Sequence, residues 1–398
     1  MRPLNRTVTA IPPSGIRRFF DLAASLPDVI SLGVGEPDFV TPWPIRKAAL
    51  QSIEKGHTTY TANSGLRQLR ELIARDVEKR TGAVYDPDTE IIITVGVSEA
   101  LDLALRTILD PGDETILFEP CYVSYSPCTA LAGGVPVFVS TSADDGFAID
   151  LDSVERAVTS RTKAMLICSP GNPTGAVQSA ATLEGLADLA ERHDLYVLSD
   201  EIYSELVYGQ DHASLAEIPG VLDRLVLLGG FSKSHAMTGW RVGYACARAP
   251  IANGMLKIHQ YTALCAPHVS QDAAIAALLT GSAATEKMRR EYWRRRDFMV
   301  GALNDMGLTC PTPAGAFYVF PSVTATGLTS TEFAERLLRE EGVAVVPGGV
   351  FGDSGEGHVR CSYAASLDTL KRAIERIRRF TERCTANLSC PTPTAKVS

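Results

Sequence analysis

No apolar run in this 398-residue sequence is long enough to cross a bilayer, which takes about 20 residues as a helix. The N-terminus "MRPLNRTVTAIPPSG" has basic residues but no apolar signal core. The chain also lacks a basic excess: 38 Lys and Arg face 46 Asp and Glu, so no large positive field attracts nucleic acid. We therefore expect a cytoplasmic protein with neither a membrane nor a nucleic-acid partner.

Motifs for metals and nucleotides are missing too. The nine cysteines form no CxxC pair and have no histidine at metal-ligand spacing, so we expect reduced thiols and no metal site. There is no Walker-type phosphate loop, and the glycines of "GVGEPDF" lack the spacing of a dinucleotide-binding turn. These absences argue against a nucleotide cofactor.

What the sequence does contain is a regular alternation of short apolar runs and helical patterns. Several runs lack polar alternation, as strands covered on both faces do. Ser98 and Ser179 are the expected N-caps of two helices between them. Such βα units predict an α/β fold with a mostly parallel, seven-stranded sheet sandwiched by helices. The predicted strands are 90–95, 115–119, 135–140, 164–169, 195–200, 224–230 and 242–247.

The pattern changes after about residue 285. A long amphipathic helix is predicted over 285–306, with its arginines facing solvent. A capping box, Thr329 with Glu332, opens a further helix among short apolar runs, which is typical of an α+β module. The predicted organisation is an N-terminal segment with part of a smaller domain (1–45), a large domain (46–285), the rest of the smaller domain (286–386) and a disordered tail (387–398).

Polar residues follow several of the predicted strands at their carboxyl ends, where sheets of this kind bind ligands. Gly96, Val97 and Ser98 end the first strand and open a helix, so their N–H groups suit a phosphate, although a simple helix cap explains them equally well. Asn172 lies in "SPGNPTG", which taken alone is an ordinary turn.

Two ionisable residues follow later strands. Asp200 of "LSDEIY" comes directly after buried apolar residues, so it needs a cationic or hydrogen-bonding partner, or it caps a helix. Lys233 of "GGFSKS" follows another strand, and although a lone lysine is usually a surface residue, this one is expected to share a crevice with Asp200. A lysine, a carboxylate and a phosphate cradle suit pyridoxal phosphate, whose aldehyde forms a Schiff base with lysine and whose pyridine nitrogen pairs with an acid.

With these residues in place, the chain resembles the class I/II aminotransferases of pyridoxal-phosphate fold type I, the aspartate/aromatic aminotransferase-like proteins. The resemblance runs from "SLGVGEPDFVTP" to "GHVRCSYA" and includes "PGNPTG", "SDEIY" and "SKSHAMTGWRVGY" in order. It implies a large domain, a smaller α+β domain and a pyridoxal-phosphate-dependent aminotransferase.

The same resemblance implies individual roles. Lys233 would bind the cofactor covalently and move protons, and Asp200 would keep the pyridine nitrogen protonated. The other implied cofactor-binding residues are Tyr203 and Asn172 at the phenolic oxygen, Tyr122 on the ring, and Gly96, Val97, Ser98, Ser232 and Arg241 at the phosphate.

Substrate binding and assembly are implied in the same way. Arg360 of "HVRCSY" would hold the substrate α-carboxylate with two hydrogen bonds, beside Asn172 and a backbone contact from Gly35. Tyr60 would reach the phosphate of the neighbouring subunit, which makes the expected functional unit a homodimer.

The substrate is predicted from what replaces two residues of related dicarboxylate-preferring enzymes. By register, their lysine and threonine correspond here to Ser98 and Ile16, and neither pairs with a distal carboxylate as an ammonium does. We therefore expect an aromatic or apolar amino donor, 2-oxoglutarate as acceptor and ping-pong kinetics. His235 and Arg17 lie nearby in the sequence and are expected to make no substrate contact.

Two alternatives remain open. A carbon–sulfur β-lyase uses the same scaffold and shares its motifs. A non-catalytic, cofactor-sensing binding protein would carry an appended DNA-binding domain, and we expect none because nothing before residue 16 is long enough to form one.

Overall fold

A computed structural model describes residues 2–13, 15–16, 26 and 28–389 of the chain. Arg17, Cys390 and the rest of the predicted tail up to residue 398 lie outside these residues. The helices are α1 (Arg6–Ala10), α2 (Trp43–Glu54), α3 (Arg67–Thr81), α4 (Val97–Ile108), α5 (Tyr125–Leu131), α6 (Leu151–Ala157), α7 (Ala180–Arg192), α8 (Ala249–Thr262), α9 (His268–Thr280), α10 (Ser282–Asp305), α11 (Ser330–Glu341) and α12 (Leu367–Ser389). The strands are β1 (Ile30–Ser31), β2 (Ile91–Thr94), β3 (Glu114–Glu119), β4 (Val135–Ser140), β5 (Thr162–Cys168), β6 (Tyr196–Asp200), β7 (Leu225–Gly230), β8 (Gly243–Ala247), β9 (Tyr318–Val319), β10 (Val343–Ala344), β11 (Val346–Pro347) and β12 (Val359–Ser362).

Strands β2 to β8 form one seven-stranded sheet in the order β2-β8-β7-β6-β5-β3-β4. β8 runs antiparallel to both of its neighbours, and the other pairs are parallel. All seven predicted strands are present, and the predicted mostly parallel sheet is confirmed.

Helices cover both faces of this sheet. Successive side chains of a strand point to opposite faces. Ile91 and Ile93 of β2 accordingly join one apolar core with helices α3 and α7, whereas Ile92 joins a second core with α4 and α8. Burial on both faces explains why these strands are almost continuously apolar.

The helix starts test the predicted caps. Ser179 caps α7 by accepting a hydrogen bond from Thr182 N, and the capping box at the start of α11 is present. The prediction for Ser98 is wrong because the N-cap of α4 is Gly96. Gly96 has φ +76°, a conformation that glycine adopts far more readily than other residues, so the chain turns there and Ser98 already lies inside the helix.

The C-terminal part of the chain has its own core and a three-stranded antiparallel sheet, β11-β12-β9. β1 pairs in parallel with β10, and Ile30 and Leu32 join the apolar core of the C-terminal helices. The domain limits at residues 45 and 285 stay a prediction. Helix α12 runs to Ser389 and so includes the first three residues of the predicted tail.

The long helix is present as α10, but the prediction that its arginines face solvent is wrong for two of them. Arg295 is 5% exposed and Arg296 is 8% exposed. Arg295 Nη1 donates to Asp38 Oδ1 at 2.8 Å, and Arg296 Nη1 donates to Pro313 O at 3.1 Å. Arg296 also donates to the neighbouring Asp297, so each buried guanidinium group has a carboxylate partner.

The sequence predicts reduced cysteines and no membrane-spanning helix. The eight cysteines within the described residues are free thiols. None of the helices in that part of the chain combines the length and the apolar character of a membrane span.

Candidate active site

A cleft of about 380 Å³ opens at the carboxyl ends of the central strands. Eleven of the thirteen predicted site residues line it, and Gly96 lies directly behind it. The predicted residues along the cleft are Gly35, Val97, Ser98, Tyr122, Asn172, Asp200, Tyr203, Ser232, Lys233, Arg241 and Arg360.

Lys233 lies three residues after the end of β7, in the turn that leads away from the sheet. Its Nζ donates to Gly35 O at 2.5 Å and lies 5.9 Å from the ring centre of Tyr203. Burial, together with the positive charges of Arg360 and Arg241, lowers the pKa of Lys233 to about 8. The amine therefore loses its proton far more easily than an exposed lysine.

Asp200 is the last residue of β6 and is buried. Burial raises the pKa of its carboxyl to about 6, whereas a hydrogen bond from Tyr125 Oη and one from Ile202 N counteract that rise. Tyr125 Oη donates to Oδ2 at 2.8 Å, and Ile202 N donates to Oδ1 at 3.2 Å. A positive charge in the cleft would favour the ionised carboxylate further.

Arg360, on β12, is 2% exposed and lies beside Asn172 in the wall of the cleft. Its Nη1 donates to Asn172 Oδ1 at 2.9 Å and its Nη2 donates to Gly33 O at 2.6 Å. The guanidinium lies 4.5 Å from the ring centre of Tyr318, and its Nε has no hydrogen-bond partner among the described residues. It is a buried cation without a carboxylate partner in that part of the chain, which is costly until an anion binds.

Two tyrosines meet beside this arginine. Tyr203 Oη and Tyr318 Oη lie 2.9 Å apart, and both rings are buried. Burial raises the pKa of Tyr203 well above its ordinary value, so its hydroxyl stays protonated and can donate. Tyr122 lies on another wall of the cleft, edge-on to Tyr125.

The first turn of α4 faces Arg241 across a narrow gap. The first N–H groups of a helix lack intrahelical partners, and here the first two helical residues, Val97 and Ser98, line the cleft. A Cβ on Gly96 would lie 2.7 Å from Arg241 Nη2, so a larger residue there would displace the guanidinium. Ser232 completes an arrangement of donors that suits an anion with several oxygens.

The structure does not bring Tyr60 to this cleft. Its side chain is 80% exposed and lies on the loop between α2 and α3. The predicted role in a neighbouring subunit therefore stays a prediction. His235 is buried against Ser234 and does not line the cleft.

Sequence reasoning missed several lining residues, above all Tyr125 and Tyr318. Tyr125 follows Tyr122 by three residues, a helical spacing in "CYVSY" that could have indicated it. Tyr318 lies in "GAFYVF", an apolar run whose pattern does not distinguish it from core. The other unpredicted lining residues are Glu36, Leu101, Cys168, Ile202 and Thr238.

One group of metal-type ligands lies elsewhere, in His57, His268 and Asp272. His57 Nδ1 is 2.7 Å from Asp272 Oδ2. The two imidazole rings stack with an interplanar angle of 16°. Because nitrogen lone pairs lie in the ring plane, stacked rings do not direct them at one point.

Comparison with known proteins identifies the family. The model of the family "Aminotransferase class I and II" matches residues 27–377. A putative aminotransferase, YugH of Bacillus subtilis, is 53% identical over 96% of this chain and 99% of its own length. An aspartate aminotransferase of Pyrococcus abyssi is 45% identical over 93% of this chain and 96% of its own.

A solved structure shows the same architecture. The aromatic aminotransferase of Pyrococcus horikoshii OT3 superposes with a TM-score of 0.89 at 44% identity, covering 92% of this chain and 99% of that one. The chain therefore belongs to the class I and II aminotransferases, and it is a pyridoxal-phosphate-dependent transferase of fold type I.

Proposed function

We propose that this aminotransferase moves the amino group of an aromatic or apolar L-amino acid to 2-oxoglutarate. The charge balance of the cleft carries the proposal. Among the described residues that line it, the cations are Lys233, Arg241 and Arg360. If these serve the amino group, the cofactor phosphate and the α-carboxylate, no cation in that set is left for the distal carboxylate of a dicarboxylic donor.

The remaining walls support an apolar side chain. Ile16, Leu101 and Ile202 contribute aliphatic surface to the cleft. Glu36 also lines it and accepts a hydrogen bond from Thr238 Oγ1 at 3.1 Å. A second carboxylate on the donor would meet this acidic residue without a matching cation, whereas an aromatic or aliphatic group would not.

The residues present fit pyridoxal phosphate. The gap beside Gly96, which a Cβ would fill, places Arg241 where it can hold a phosphate with the first turn of α4. Lys233 supplies the amine for the aldehyde, and Asp200 supplies the acid for the pyridine nitrogen. Tyr122 borders the same space and can contact the ring.

Bound pyridoxal phosphate supplies the aldehyde that takes up the amino group and a ring that withdraws electrons from the substrate α-carbon. Asp200, as an anion supported by Tyr125, would stabilise the positive charge of the ring nitrogen. Lys233 Nζ, released when the substrate amino group takes its place at the aldehyde, would remove the proton from the α-carbon, and its lowered pKa makes the free amine more available than that of an exposed lysine.

Arg360 orients the substrate. Its remaining N–H groups can donate to both oxygens of the α-carboxylate, while Asn172 Oδ1 and Gly33 O fix the guanidinium by accepting from it. Asn172 Oδ1 accepts from Arg360, and its Nδ2 can donate to a ligand. Tyr203 Oη, paired with Tyr318 Oη, is a second donor at this end of the cleft.

The same residues act on both substrates in turn. The 2-oxo acid made from the donor leaves before 2-oxoglutarate enters, and its α-carboxylate takes the place of the first at Arg360. This order predicts parallel lines in two-substrate steady-state kinetics. Intersecting lines would contradict it.

A panel of amino donors tests the substrate. We expect phenylalanine, tyrosine or leucine to react faster than aspartate, with 2-oxoglutarate as acceptor, and aspartate far ahead of all three would contradict the proposal. Cystathionine without an oxo-acid acceptor serves as the parallel reaction: release of pyruvate and ammonia from it would indicate the β-lyase instead.

We also infer that the functional unit is a homodimer. Large apolar side chains are exposed, among them Trp43 on α2, Tyr60 in the following loop and Tyr261 near the end of α8. Asn63 Nδ2 donates to Leu264 O at 2.8 Å, which joins this loop to the end of α8. Exposed apolar patches of this kind mark interfaces between proteins.

Mixed dimers test whether Tyr60 serves the neighbouring site. A dimer of one Tyr60→Phe subunit and one Lys233→Ala subunit contains one site with both residues intact. We expect this mixture to recover cofactor affinity and activity at one site, which neither parent dimer has. No recovery in a verified heterodimer, or a monomer by sedimentation, would contradict the inference.

A further inference from the structure

One buried pair of ionisable side chains lies behind the cleft and has no role in the proposed mechanism. Glu99, the third residue of α4, accepts a hydrogen bond from Val95 N through Oε2 at 2.5 Å. Its other oxygen, Oε1, lies 2.8 Å from Nδ1 of His259 in the last turn of α8. The carboxylate therefore joins the residue just before Gly96 to a helix on the other side of the turn.

The pair is enclosed by protein. The side chain of His259 is completely buried, and that of Glu99 is 13% exposed. His259 Nε2 has no hydrogen-bond partner within the part of the chain that the structure describes, so Glu99 is the polar contact of this ring. Since a carboxylate only accepts, Nδ1 carries the hydrogen and donates. Burying an imidazole with one nitrogen unpaired is costly, and an apolar residue would fill the same space at lower cost.

Glu99 and His259 lie next to the turn that leads from β2 into α4. Gly96 has φ +76° and ψ 168°, and its N–H group bonds to Thr94 O within a tight turn. Val97 and Ser98 line the cleft, and the direction of their N–H groups depends on the shape of this turn. Glu99 holds Val95 N from one side, and His259 fixes the direction of the Glu99 carboxylate.

The contact also reaches the loop that carries Tyr60. His259 O accepts a hydrogen bond from Leu264 N at 3.0 Å, and Leu264 O accepts one from Asn63 Nδ2 at 2.8 Å. These hydrogen bonds thus connect the turn at Gly96, through Glu99 and His259, with the loop that carries Tyr60.

We propose that Glu99 and His259 are positioning residues that hold the turn at Gly96 in its phosphate-binding shape. The inference rests on the proposed placement of the cofactor phosphate at this turn. It predicts that loss of the pair weakens binding of the phosphate and leaves binding of the rest of the cofactor intact.

The test compares two ligands of the apoenzyme, pyridoxal phosphate and pyridoxal, by titration of tryptophan fluorescence. Both ligands react with Lys233, so their difference in affinity isolates the phosphate. His259→Leu removes the donor to Glu99, and His259→Asn retains one because the Asn Nδ2 corresponds to the imidazole Nδ1. His193→Leu is the matched control, since Nε2 of His193, the residue after α7, lies 2.7 Å from Oε1 of Glu155 on α6, away from the cleft.

For His259→Leu we expect the Kd of pyridoxal phosphate to rise about tenfold, the lower end for loss of a hydrogen bond to a charged group. The Kd of pyridoxal changes by less than about twofold. His259→Asn stays within about threefold of the wild type for both ligands, and His193→Leu alters neither. Unchanged affinity for pyridoxal phosphate in His259→Leu, or an equal loss for both ligands, would overturn the inference.

Two further variants keep the outcomes separable. Arg241→Leu removes a proposed phosphate contact directly, so it must lose the preference for pyridoxal phosphate if the phosphate lies at this turn. If Arg241→Leu retains the preference, the placement of the phosphate fails; if only His259→Leu retains it, the positioning role fails. If His259→Leu does not fold, as judged by circular dichroism, Glu99→Gln replaces it as the test variant. The amide of Gln has one oxygen and one nitrogen, so its nitrogen faces a donor at either Val95 or His259 and one of the two hydrogen bonds is lost.

Discussion

Replacing Arg360 with lysine should weaken recognition of the substrate α-carboxylate and leave binding of the cofactor unchanged. The guanidinium donates to Asn172 Oδ1 at 2.9 Å and to Gly33 O at 2.6 Å, and it lies 4.5 Å from the ring centre of Tyr318. Lysine keeps the positive charge, but it is a point charge that cannot donate two parallel hydrogen bonds to one carboxylate.

The magnitude follows from the lost bond. One hydrogen bond to a charged group contributes about 1.5–3 kcal/mol, which corresponds to about a 10- to 150-fold loss in kcat/KM. The same factor should apply to the acceptor, because the amino acid and the 2-oxo acid place their α-carboxylates at the same arginine. The affinity of the apoenzyme for pyridoxal phosphate should stay unchanged, since Arg360 is not among the proposed cofactor contacts.

The assay pairs the best amino donor of the panel with the amine that lacks its carboxylate, for example phenylalanine with 2-phenylethylamine. Single-turnover rates with each compound are measured for the wild type and for Arg360→Lys. We expect the wild type to prefer the amino acid strongly and the variant to lose most of that preference, while the slow reaction of the amine stays the same.

Two results would refute the reasoning. Equal losses for the amino acid and the amine would show that Arg360 acts on the cofactor or the fold. A change of less than about threefold in kcat/KM for the amino acid would show that its α-carboxylate binds elsewhere.

Further predictions concern the two groups with shifted pKa values. Because the pKa of Lys233 is lowered to about 8, the rate at which the apoenzyme captures pyridoxal phosphate should rise with pH around a midpoint near 8; a midpoint above 10 would contradict this. Tyr125→Phe removes a hydrogen bond that lowers the pKa of Asp200, so the acid limit of cofactor affinity should move to higher pH, and an unchanged limit would show that the bond is unimportant. Burial gives the Asp200 carboxyl a pKa of about 6 in the folded apoenzyme against an ordinary value of 3.8, so the folded state binds its proton more tightly and stability falls by about 2 kcal/mol as pH rises from 4 to 6. Asp200→Asn should lack that part of the pH dependence in chemical denaturation, and an identical profile in both proteins would contradict it.

The fold was predictable where one local pattern determines one structure. Strands covered on both faces must be apolar throughout, so the seven runs between residues 90 and 247 identified the sheet. Because the carboxyl ends of parallel strands meet at one edge, Asn172, Asp200 and Lys233 could be placed together from their positions after strands alone. The individual roles came from the family resemblance, since a turn, a cap and a surface lysine explained each residue equally well by itself.

What escaped prediction depends on partners that are distant in the sequence. Arg295 belongs to a run of arginines typical of an exposed face, yet Asp38 lies more than 250 residues away and makes its burial possible. Ser98 was expected to cap α4 because serine favours that position, but the positive φ of Gly96 moved the turn two residues earlier. Tyr318 and His259 lie in apolar or helical segments whose patterns say nothing of the polar groups that face them.

Three ionisable residues of the cleft share one physical property: each lies in an environment that disfavours its charge. Arg360 is buried without a carboxylate, Lys233 is buried near two other cations, and Asp200 is buried so deeply that its pKa rises. Charges of this kind destabilise the empty protein, because burial removes water without supplying a counter-charge. An α-carboxylate removes the penalty at Arg360, an aldehyde the one at Lys233, and a protonated ring nitrogen the one at Asp200. Binding free energy is therefore concentrated on the atoms that must be aligned for reaction. The same groups that make the apoenzyme less stable therefore make it selective for a ligand with these three features.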